Sequence, residues 1–155
     1  MIVFRLCKKK YSTDLSGKGA EICGGRWNSK GTPMLYTSAS RALAVTEIAV
    51  HTPLGNIPED YFIISLEIPE HSILEILEST LAIDWNKFPY SRITQIIGDQ
   101  FIDVNKFLIM KVPSAVVTGD YNYLVNPKQK DFHQVIILNR DEFEFDRRLF
   151  KKINI

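Results

Sequence analysis

Cysteine is almost missing from this chain: Cys7 and Cys23 are the two in 155 residues, and they form no Cys-x-x-Cys arrangement. That scarcity excludes a disulfide framework and a thiolate metal site, and it leaves free thiols as the expectation. Long apolar runs are missing too. None approaches the roughly 18 residues that a membrane-spanning helix requires, and the opening MIVFRLCKKK places its lysines after the apolar run, the reverse of a secretory signal. A cytoplasmic protein that neither crosses nor binds a membrane is expected. Neither sign of charge dominates: 19 basic and 18 acidic residues give a formal net charge of +1, so there is no global electrostatic case for nucleic acid. His51, His71 and His133 are scattered without ligand spacing, and no metal is expected. Gly17, Gly19, Gly24, Gly25 and Gly31 match neither the dinucleotide fingerprint nor the phosphate loop. Ser114 lacks a Gly-x-Ser-x-Gly setting and an identifiable base, which argues against a serine hydrolase.

What is present is an apolar fraction of 45% with 24% charged residues, the composition of a globular protein with one core, and the whole of 1–155 is read as one domain. β-branched and aromatic runs predict strands at 2–7, 34–37, 61–68, 107–112, 121–127 and 134–138, with 72–77 either strand or helical turn. Residues 11–33, rich in glycine and polar side chains, predict a long irregular loop, and such loops usually serve a site. A helix is predicted up to His51 with Ser38 or Ser40 as its cap; Ala42, Leu43, Ala44, Val45, Ile48, Ala49 and Val50 leave it little polar face, the pattern of a buried helix. A second, amphipathic helix is predicted over 93–106, interrupted by Gly98. The tail 141–150 alternates aromatic and acidic residues as a half-exposed strand does. Many strands and few helices make the fold class α+β, a single domain with a mixed, mostly antiparallel sheet.

The chain is organised around 24–51, where Arg26 lies in a glycine-rich turn, Tyr36 at the end of a short strand and Glu47 inside an apolar helix. The helical neighbours of Glu47 are Leu43, Ala44, Val50 and His51, so its carboxylate reaches either a narrow wet edge or a cleft. Taken alone, Tyr36 fits plain core, Arg5 a sheet-edge arginine and Ser114 a turn serine.

The run GGRWNSKGTPMLYTSASRALAVTE, with the later VPSAV, YNYLVNP and terminal FDRRLF, resembles the RES domain, the toxin half of bacterial RES–Xre toxin–antitoxin pairs. The resemblance covers nearly the whole chain; residues 53–106 follow it only loosely. It implies an ADP-ribosyltransferase-like fold and an enzyme that consumes NAD by breaking the nicotinamide–ribose bond, with water or phosphate as acceptor. A protein ADP-ribosyltransferase and a non-enzymatic nucleotide- or partner-binding module are the alternatives. It also implies catalytic roles for Glu47, Arg26 and Tyr36, and cofactor-binding positions at Arg5, Arg26, Tyr36, Ser114 and Asn126. The implied partners are an Xre-type helix-turn-helix antitoxin and a second copy of the chain in a homodimer. The residue types suit that chemistry. Arginine presents a fork of donors to pyrophosphate oxygens, tyrosine stacks on a ring, and a carboxylate beside the ribose 2′-hydroxyl interacts more strongly as an oxocarbenium-like charge develops.

Overall fold

The computed structural model describes residues 1–150. Seven strands form one sheet: β1 (Ile2–Lys8), β2 (Leu35–Ser38), β3 (Tyr61–Glu67), β4 (Ile73–Glu75), β5 (Ile109–Pro113), β6 (Tyr121–Val125) and β7 (Ile136–Phe143). Their order is β4-β5-β6-β2-β1-β3-β7. Every neighbouring pair is antiparallel except β4 beside β5. Three α-helices accompany it among the described residues: α1 (Lys18–Cys23), α2 (Arg41–Ala49) and α3 (Arg92–Val104). The α+β class and the mixed, mostly antiparallel sheet are as the sequence leads one to expect.

Side-chain alternation along the strands separates the core into layers. On one face Val3, Cys7, Leu35, Ile64, Leu66, Ile109 and Val125 pack together. On the other, Met110, Val112 and Leu124 meet Phe101 and Ile102 of α3, while Leu6 and Ile63 meet Ala44 of α2, Phe145 and Phe150. The second face is thus covered by two helices over two different halves of the sheet.

The amphipathic stripe of α3 explains its place, and Gly98 is a requirement of packing rather than a flaw. A Cβ at residue 98 would sit 1.6 Å from the carbonyl oxygen of Trp27, so only glycine lets the helix touch the turn that precedes β2.

Four expectations need correction. Residues 11–33 are not wholly irregular, because one short helix, α1, forms between Gly17 and Gly24; six residues between glycines give too brief a pattern for periodicity to register. Helix α2 is capped by Ser40, whose Oγ accepts from the amide of Leu43 at 3.1 Å, but it is not a buried helix. Only Leu43 and Ala44 are buried, and Val50 is 54% exposed. Val45, Ile48 and Ala49 pack against the core beside Ala44, while Ala44, Glu47, Ile48, Val50 and His51 border a cleft. The tail is strand only to Phe143; Arg147–Phe150 turn into a 3-10 helix that returns Phe150 to the core. The expected strand at 107–112 begins at Ile109 and runs through Pro113.

Candidate active site

Strands β1 and β2 share a single register pair, Phe4↔Ser38. A continued antiparallel ladder would pair Arg5 with Thr37, Leu6 with Tyr36 and Cys7 with Leu35. Instead the strands part, and a cleft of about 880 Å³ opens between them, lined by Phe4, Leu6, Cys7, Leu35, Tyr36 and Thr37 among others. Residues of both parities reach it, which a closed ladder would prevent. Arg5, Arg26, Ala44, Glu47, His51 and Asn122 line it as well, and Asn86, Phe88 and Tyr90 supply a wall from the segment before α3. The volume falls within the range of small-molecule and cofactor sites, roughly 300–1,000 Å³.

The turn carrying Arg26 is built by Asn28, which is completely buried. Its Nδ2 donates to the carbonyls of Ala20 at 2.8 Å and Thr32 at 2.9 Å, and its Oδ1 accepts from the Tyr36 hydroxyl at 2.7 Å. The same hydroxyl accepts from the amide of Trp27 at 3.1 Å. Gly25 belongs to this arrangement, since a Cβ there would lie 2.7 Å from the Tyr36 hydroxyl. From α3, Gln95 donates to the Gly25 carbonyl at 3.0 Å and Asp99 accepts from the amide of Ser29 at 2.9 Å. Burial, the largest influence, pushes the Tyr36 phenol well above its ordinary range, so it stays neutral. Its hydroxyl is a structural group and only its ring is presented to the cleft. Tyr36→Phe is therefore expected to destabilise the fold by about 1–3 kcal/mol, by leaving a buried donor and acceptor unpaired, as read from the urea midpoint.

Arg26 is fixed from above. Its Nη1 donates to the carbonyls of Trp85 at 2.7 Å and Lys87 at 3.0 Å, and its guanidinium lies 5.0 Å from the centre of the Tyr90 ring. Trp85 is itself buried against Trp27. Among the described residues no acceptor meets Nε or Nη2, so part of the fork stays available. Burial lowers the guanidinium pKa, opposed by Tyr90, Glu47 and Tyr36; an arginine remains charged at neutral pH all the same.

Glu47 projects from α2 to the cleft. Its Oε1 accepts from Ser114 Oγ at 3.0 Å and from Asn122 Nδ2 at 2.7 Å. No donor among the described residues reaches Oε2. Ser114, a cofactor-binding position by the resemblance, is brought to the site, but its hydroxyl is bonded to Glu47. Its one hydroxyl hydrogen goes to Glu47, and its oxygen accepts from the amides of Val116 and Val117 at 3.1 and 3.0 Å. Arg5 lines the cleft with its Nη1 donating to the carbonyls of Tyr11 and Asp14, which ties down the loop after β1.

Asn126 is not brought to the cleft. It is completely buried behind β6, donates to Asn105 Oδ1 at 3.0 Å and accepts from the amide of Lys128 at 2.9 Å, the bonding of a turn-forming asparagine. Sequence reasoning overlooked Asn28, Tyr90, Gln95 and Asn122. Asn28 and Asn122 stand inside the quoted motifs, and a polar amide among apolar strand residues was the signal for the latter. Among the described residues no group of histidine, cysteine and acidic side chains is arranged to hold a metal.

A model of the RES domain matches residues 2–147. "Toxin Res" of Photorhabdus laumondii subsp. laumondii is 40% identical over 97% of this chain and 98% of its own length. "Prs ADP-ribosylating toxin" of Sphingobium sp. is 32% identical over 90% and 88% respectively. Among solved structures, a chain in the crystal structure of the M. tuberculosis MbcT–MbcA toxin–antitoxin complex has a TM-score of 0.75 at 18% identity, covering 96% of this chain and 86% of that one; this likeness concerns the fold.

Proposed function

This chain belongs to the RES domain family, and from that membership and the geometry of the cleft we propose that it is the toxin of a bacterial toxin–antitoxin pair, acting by cleavage of the nicotinamide–ribose bond of NAD. The observation that carries the reading is the carboxylate of Glu47. Two donors hold Oε1, and Oε2 is left for a ligand in a cleft that also holds the half-buried Arg26.

The reaction asks little of general acid catalysis. The bond from ribose C1′ to the pyridinium nitrogen breaks with its electron pair going to nicotinamide, which leaves neutral. The ribose is left with oxocarbenium character, and Oε2 accepts a hydrogen bond from the 2′-hydroxyl that strengthens as that charge grows. Water or phosphate then attacks C1′. Arg26, with Arg5 beyond it, neutralises the pyrophosphate. The Tyr36 ring offers a stacking face. NAD is the substrate, and no metal is needed for this chemistry.

Purified protein, freed of its antitoxin, should release nicotinamide from NAD; its failure to do so would overturn the reading. Arg26→Lys keeps the charge but not the fork, and should raise KM for NAD by roughly 10- to 100-fold, the loss of one charge-assisted bond pair, in steady-state kinetics. A second reading, transfer of ADP-ribose to a protein side chain, is favoured by the name of the Sphingobium relative. Adenylate-labelled NAD separates the two: label on a small product supports cleavage, label on protein supports transfer. A cytoplasmic location, where NAD is consumed, an Xre-type antitoxin and a homodimer complete the proposal. Co-expression with the neighbouring gene product and light scattering test the last two.

A further inference from the structure

We infer that Asn122 is a positioning residue of this site: its side-chain amide, braced by Ser38, sets the orientation of the Glu47 carboxylate. This rests on the NAD reading above. Asn122 lies directly opposite Ser38 in the β2–β6 ladder and opposite Val112 in the β5–β6 ladder, so its backbone is fixed on both sides. Glu47 is on a helix with three rotatable side-chain bonds and has no such restraint of its own.

The chain of hydrogen bonds has a direction. Ser38 Oγ donates to Asn122 Oδ1 at 2.7 Å, and Asn122 Nδ2 donates to Glu47 Oε1 at 2.7 Å. A flipped amide would set its oxygen against the carboxylate, acceptor on acceptor, and turn its NH₂ toward the serine. The carboxylate, which can only accept, therefore selects the amide's NH₂ end, and Ser38 braces the amide in that orientation by donating to its oxygen. Because Ser114 donates to the same Oε1, the two donors together fix the rotation of the carboxylate and leave Oε2 as the oxygen presented to the ribose. Asn122 acts through Glu47 and is not assigned a contact with the reacting bond.

The variants Asn122→Ala and Asn122→Asp test this, the second keeping the shape while replacing the donor with an acceptor. Each should lower kcat for nicotinamide release by roughly 10- to 100-fold, the cost of a misplaced reacting group, with KM for NAD within about threefold. In a Glu47→Gln background, Asn122→Ala should lower the residual rate by less than about twofold, because the group it positions is already disabled. Ser38→Ala should give a smaller fall of the same kind. A crystal structure of Asn122→Ala should show the carboxylate rotated away from Ser114. A wild-type kcat in Asn122→Ala, a loss that multiplies in the double variant, or an unmoved carboxylate would each overturn the inference. Should the wild-type protein release no nicotinamide, the NAD reading fails, and the position of the carboxylate in Asn122→Ala still decides whether Asn122 positions it.

Discussion

Glu47→Gln is expected to lower kcat for nicotinamide release by about 10³-fold with little change in KM, the size of effect that follows loss of a preorganised charge at a developing cation. The substitution keeps volume and hydrogen-bonding reach. What it removes is the negative charge, and the charge matters only once positive charge appears on the ribose, so ground-state binding is spared. Glutamine also brings an NH₂ group toward Ser114 or Asn122, both of which donate to Oε1; the side chain must turn its oxygen there, which places NH₂ at the position facing ribose. A rate near wild type, measured as nicotinamide released from NAD, would remove Glu47 from the mechanism.

Gly98→Ala should destabilise the fold by about 3 kcal/mol, at the upper end of the range for overpacking, seen as a lowered urea midpoint with an unchanged slope. Helix propensity alone predicts the opposite, a gain of about 1 kcal/mol for alanine over glycine in a helix. The sign is decided by the Trp27 carbonyl, 1.6 Å from the added carbon, and by the Trp27 carbonyl carbon at 2.7 Å. These are backbone atoms and cannot swing aside as a side chain would. Relief requires α3 to lift from the turn, which breaks the bonds from Gln95 to Gly25 and from Ser29 to Asp99. KM for NAD should rise along with the loss of stability, because Arg26 lies between those anchors. A variant with raised stability would show that the helix can shift without strain.

Strands were the legible part of this sequence. Runs such as Tyr61–Glu67 and Tyr121–Val125 carry β-branched and aromatic residues that report their conformation locally. The helix bearing Glu47 was legible as a helix but not in its exposure, because periodicity cannot tell an apolar surface that meets protein from one that lines a cleft. Arg26, Tyr36 and Glu47 do share the cleft, although Tyr36 contributes its ring and keeps its hydroxyl for the turn. What stayed hidden is pairing across distance. Asn122 is 75 residues from Glu47, and the carbonyl of Trp85 is 59 residues from Arg26; no local pattern encodes such meetings. Asn126 shows the converse, a motif asparagine whose surroundings make it a turn former beside Asn105 and Lys128.

The lone rung between β1 and β2 is the seam at which the sheet divides. One leaf, β4-β5-β6-β2, ends at Ser38, and the other, β1-β3-β7, ends at Phe4. Helix α2 spans the seam by packing on both β1 and β2. The mouth of the cleft is accordingly framed by both halves of one sheet, with the Arg26 turn and the segment carrying Asn86, Phe88 and Tyr90 closing its remaining sides. Ser38 stands at that seam and also donates to the amide of Asn122, so the last residue that still ties the two halves together is in direct contact with the group that holds the carboxylate.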